Sequence, residues 1–103
     1  MILKDVANVI RSKNAGPYEL TLDVILKDGE MFDKIKTAGI INADMIAKLY
    51  KIPVEDVLSI VYFPNALAIK ATIVRPLASG NMGERDVYGA QQHAPLVNYE
   101  FEV

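Results

Sequence analysis

"YELTLDVILKDGEMFDKIKTAG", residues 18–39, changes period in its middle. Over 18–26 the apolar residues alternate: Leu20, Leu22, Val24 and Leu26 fall on one face, and Glu19, Thr21 and Asp23 on the other. A period of two with β-branched residues predicts a strand with one buried face. From Lys27 the spacing becomes helical, with Met31, Phe32, Ile35 and Ala38 on one side and Gly39 placed to end the helix in a left-handed turn. A strand running into a helix sets the layer type: a sheet that buries one face under helices.

Working outward toward the C-terminus, Asn42 is suited to cap a second helix, "ADMIAKLY". Ile46, Leu49 and Tyr50 face inward in it, and Asp44 lies near its N-terminal dipole. Pro53 stops it. Both helices are short, so packing on a sheet must stabilise them. "VLSIVYF" (57–63) is a nearly continuous apolar run, which predicts a central strand. Pro64-Asn65 turns it back into "ALAIKATIVR" (66–75), where Leu67, Ile69, Ala71 and Ile73 share a face. "PLASGNMGERD" (76–86) has two glycines and no apolar period, so it reads as a loop. In "VNYEFEV" (97–103), Val97, Tyr99, Phe101 and Val103 alternate with polar residues, as in a closing strand.

Toward the N-terminus, "VANVI" (6–10) reads as a first strand and "RSKNAGP" (11–17) as a polar turn. The order is β-β-α-α-β-β-loop-β. It predicts one α+β domain over residues 1–103: a mostly antiparallel sheet of about five strands with two helices on one face.

Composition removes several chemistries. No cysteine is present, which excludes disulfides, zinc–thiolate sites and thiol catalysis. One histidine and no tight carboxylate cluster leave no metal site legible. A net charge of −2 without a basic stripe argues against nucleic acid. No run approaches the ~20 apolar residues of a membrane span, and the opening residues do not form a signal peptide. A soluble, cytoplasmic protein is the expectation. No nucleophile setting, phosphate-binding glycine pattern or cofactor motif is legible either.

Two polar segments are the candidate site. The first is Arg11-Ser12-Lys13-Asn14-Ala15-Gly16. Its two cations, with Ser12, Asn14 and the backbone N–H groups near Gly16, suit a carboxylate or phosphate; a solvated turn is the plainer alternative. The second holds Tyr88, Gln91, Gln92 and His93, between a glycine-containing loop and the last strand. Two amides and an imidazole both donate and accept, which suits a hydroxy acid or an amide-like group. His93 has the chemistry of a general acid or base, or it satisfies backbone groups where the chain re-enters the sheet.

"IRSKNAGPYELTLDVIL" (10–26), "INADMIAKLYKIPVEDVLSIVYF" (41–63) and "VRPLASGNMGERDVYGAQQHAPL" (74–96) resemble a small family of unknown function. That family occurs beside, or fused to, acyclic-terpene-utilisation AtuA-like proteins. The resemblance implies an AtuA-like large subunit or domain as partner, with lyase or hydratase chemistry on hydroxy acids or their thioesters. A weaker similarity to the ferredoxin-like domain of AtuA-like proteins implies a ferredoxin-like variant. It carries Arg11 and Ser12 over as ligand contacts, with Lys13 and Asn14 less firmly matched. The alternative expectation is a homo-oligomeric ligand-binding or structural domain without catalysis, joined through the closing strand.

Overall fold

The alternation of residues 18–26 is realised as strand β2, Glu19–Leu26. The computed structural model describes residues 1–16, 18–75 and 94–103. β2 lies inside a four-stranded antiparallel sheet of order β1-β2-β4-β3, with β1 at Ala7–Asn14, β3 at Val57–Phe63 and β4 at Ala68–Val74. The register builds apolar rows across one face: Ile10–Val24–Ile69–Tyr62, and Ser12–Leu22–Ala71–Ile60 beside it. Leu20, Leu22, Val24, Leu26, Ile69, Ala71 and Ile73 are all buried there. The opposite face carries the rows Val9–Ile25–Ala68–Phe63, Arg11–Asp23–Lys70–Val61 and Lys13–Thr21–Thr72–Ser59.

Two helices cover the apolar face. In α2, Gly29–Ala38, the Asp28 carboxylate accepts from the Met31 amide at 2.8 Å and Gly39 closes the helix at φ 64°. In α3, Ala43–Tyr50, Asn42 accepts from the Met45 amide at 2.8 Å and donates to the Gly39 carbonyl at 2.7 Å. The end of one helix is thereby tied to the cap of the next. Phe32 and Ile35 from α2, and Ile46 and Ala47 from α3, are buried, while Leu49 and Tyr50 are partly buried against the same core. Nothing lies within 4 Å of a Cβ built on Gly39, so only its left-handed backbone restricts that position. Gly39→Val is expected to lose about 1–2 kcal/mol of stability in urea denaturation, and Gly39→Asn clearly less.

Three expectations change. The chain opens with a single helical turn, α1 at Leu3–Val6, and β1 starts at Ala7 and runs on to Asn14. The supposed turn at 11–14 is therefore strand, because Arg11 to Asn14 pair in register with Asp23 to Leu20. Among the described residues, 57–63 form an edge strand, not a central one; β4 takes the inner place, and Leu58, Val61 and Phe63 are left exposed. Finally, 97–103 is not a fifth strand. A short helix α4, Ala94–Val97, comes first, with Pro95 in its opening turn, where a missing N–H costs nothing. Among the described residues the tail then pairs with the N-terminus: Ile2 bridges Glu100, Leu3 N–H donates to Tyr99 O at 2.9 Å, and Phe101 N–H to Met1 O at 2.9 Å. α1 begins at Leu3 and leaves no longer partner for a ladder. Phe101 is nonetheless buried, with Tyr99 stacked on it at 6.3 Å.

Candidate functional site

Strand alternation divides the first polar segment between the two faces of the sheet. Arg11 and Lys13 project on the face away from the helices and are exposed. Arg11 Nε contacts Asp23 Oδ2 at 3.0 Å, and the Arg11 side chain is 57% exposed. A pair that open contributes at most ~1 kcal/mol. Ser12 and Asn14 share the helix-side face, Ser12 buried and Asn14 half-buried. The structure thus does not gather Arg11, Ser12, Lys13 and Asn14 on one surface, as an anion-binding turn would require.

A different arginine reaches Asn14. Arg75 directly follows β4, is only 4% exposed, and donates from Nη1 to Asn14 Oδ1. Its own N–H donates to Tyr18 O at 2.8 Å, extending the β2–β4 ladder by one bond. On the other side of β2, Ala15 N–H donates to Glu19 O at 3.0 Å, and Gly16 takes φ 128°, a value that suits glycine. Beneath this rim lie Leu20 and Ile73, both fully buried. A planar cation with a fixed fork, held by a side-chain amide beside a buried hydroxyl, is suited to a carboxylate or phosphate. Arg75 escaped the sequence reading, although a signal existed: Ile69, Ala71, Ile73 and Arg75 share one parity, so an arginine was due on the core side.

Arg75 also leads into the segment that holds the second set of candidates. Pro17, the loop at 76–86, Tyr88, Gln91, Gln92 and His93 lie outside the described residues.

A concavity of about 400 Å³ lies between the α2–α3 connection and β3, with Lys36, Asn42, Ser59, Ile60 and Tyr62 on its walls. The Tyr62 hydroxyl donates to Ile41 O at 2.6 Å and spans the gap. Burial pushes the Tyr62 phenol up. Among the described residues no group of three His, Asp or Glu side chains is placed to hold a metal ion, and no helix is long and apolar enough to cross a membrane.

One family model matches the chain, over residues 3–100; its description is Domain of unknown function (DUF4387). No curated protein and no solved structure matches it.

Proposed function

The chain belongs to this family of domains of unknown function, and from that premise we propose that it is a small accessory subunit of an AtuA-like metabolic enzyme. In this reading the Ser12–Asn14–Arg75 end of the sheet receives the carboxylate or phosphate of a hydroxy acid or its thioester. The carrying observation is Arg75: an arginine only 4% exposed, whose guanidinium donates to Asn14, on the same strand face as buried Ser12. Charge-assisted bonds are strongest where water is scarce, and the fork arrives already oriented. The lyase or hydratase step belongs to the larger partner. Tyr88, Gln91, Gln92 and His93 follow Arg75 in the chain and stay in the proposal as the segment facing substrate or partner, His93 as its acid–base candidate. The implied ferredoxin-like kinship belongs here too. A four-stranded antiparallel sheet with two helices on one face is the layer arrangement it calls for.

Co-expression of the chain with the AtuA-like protein of the same genome tests the reading. The two are expected to elute together from size exclusion and to stay together in high salt. Elution as two separate peaks would end the accessory-subunit reading.

The alternative, a homo-oligomer without catalysis, gains support at a different place from the closing residues. Those residues pair with Met1–Leu3 of their own chain, whereas β3 is an outer strand of the sheet among the described residues.

A further inference from the structure

We propose that the concavity between the α2–α3 connection and β3 is a binding site for a small monocarboxylate with a short aliphatic chain. The inference does not depend on the accessory-subunit reading.

One wall of the concavity is made by a break in β3. Val57 pairs with Ile73 and Ser59 with Thr72, so Leu58 is an extra residue against β4, a β-bulge. Strict alternation back from Tyr62 and Ile60 would bring Leu58 to their side of the sheet. The bulge brings Val57 there in its place: Val57, Ile60 and Tyr62 pack against the core, while Leu58 is 49% exposed. Bulges re-aim side chains in this way beside sites and at sheet edges. The three side chains are only partly buried, and all three line the concavity. Ile41, itself buried, lines it from the helix connection, and Gly39 contributes backbone without a side chain. A volume of about 400 Å³ is within the roughly 300–1,000 Å³ of small-molecule sites.

Charge selects the ligand. Among the described residues that line the concavity, Lys36 alone is charged. It stands in the last turn of α2, is exposed, and has no ion-pair partner among the described residues. A compact ammonium with no carboxylate attached favours an anion. One such cation matches one negative charge, and the apolar wall matches an aliphatic chain. A phosphate dianion would leave a charge unmatched, and a sugar or nucleotide would set polar groups against Val57 and Ile60. The Tyr62 hydroxyl donates to Ile41 O, so recognition of the carboxylate falls to Lys36.

The test is a chemical-shift titration of the full chain with butyrate, pentanoate and hexanoate, beside Lys36→Gln and Arg11→Met. Lys36 is exposed, so its replacement leaves the fold in place. Saturable changes are expected in 36–43 and 57–62, with affinity rising about two- to fourfold per added methylene. Lys36→Gln should lose about two- to fivefold in hexanoate affinity, the scale for an ammonium that stays largely in water. Arg11→Met removes a cation from the other face of the sheet and should leave that affinity unchanged. Changes that do not saturate overturn the proposal, as do largest changes at Ser12, Asn14 and Arg75 or anywhere else outside the two segments. So does an affinity that is flat along the series, a Lys36→Gln protein that binds hexanoate as wild type does, or an equal loss in the two variants.

Discussion

Phe32→Ala is expected to lower the unfolding free energy by about 3–5 kcal/mol, the range for deleting a buried aromatic ring. Phe32 is 1% exposed and joins α2 to the sheet core. Its ring meets Tyr62 of β3 edge-on, with centroids 6.0 Å apart and planes at 72°. Such pairs add about 0.5–1.5 kcal/mol beyond the area they bury. Tyr62 in turn reaches Ile41 O, so the ring supports a hydroxyl bond that spans the α2–α3 connection and the sheet edge. Domains of this size are stable by about 5–15 kcal/mol in total, so the loss is about a fifth of the whole or more. Urea denaturation followed by circular dichroism measures it. Met31→Ala, at a half-buried neighbour, serves as the smaller reference. A loss under about 1 kcal/mol for Phe32→Ala would mean that α2 does not seal the sheet at this point.

What could be read from the sequence was what local periodicity encodes. Leu20, Leu22, Val24 and Leu26 alternate because one face of β2 meets the helices, and that face is buried as expected. Asn42 and Gly39 act at the helix ends through bonds to residues three or four away, so their roles were visible too. Strand order is not local. The apolar run 57–63 fits an inner strand or a bare edge equally well, and only the β2–β4 pairing decides between them. Arg11 to Asn14 looked like a turn because their side chains are polar. At an edge the ladder bonds come from the backbone, and polar side chains are tolerated there. The same misreading hid the division of the site. Once 11–14 is strand, Arg11 and Ser12 must point to opposite faces, and the arginine that bonds Asn14 comes from 61 residues away, where strand parity gives its face and not its partner.

Arg75→Met is expected to weaken anion binding at this end of the sheet by about one to two orders of magnitude while leaving the fold in place. In a chemical-shift titration with malate, or separately with inorganic phosphate, wild type should show its largest changes at Ser12, Asn14 and Arg75. A hydrogen bond to a charged group contributes about 1.5–3 kcal/mol, which corresponds to roughly a 10- to 150-fold loss of affinity in the variant. Methionine keeps much of the apolar length of the side chain. Asn14 is only half-buried, so water can replace the donor it loses, and the stability change should stay within about 1–2 kcal/mol. Arg75→Lys retains the charge without the fork and should fall between the two. Arg11→Met is the decisive companion. Arg11 is on the far face, paired with Asp23 and largely in water, so its removal should change affinity by no more than about twofold. Equal losses in the two methionine variants would point to diffuse electrostatic attraction and away from a built site. Unchanged binding in Arg75→Met would remove Arg75 from ligand recognition and leave it as a structural closure of the β2–β4 ladder.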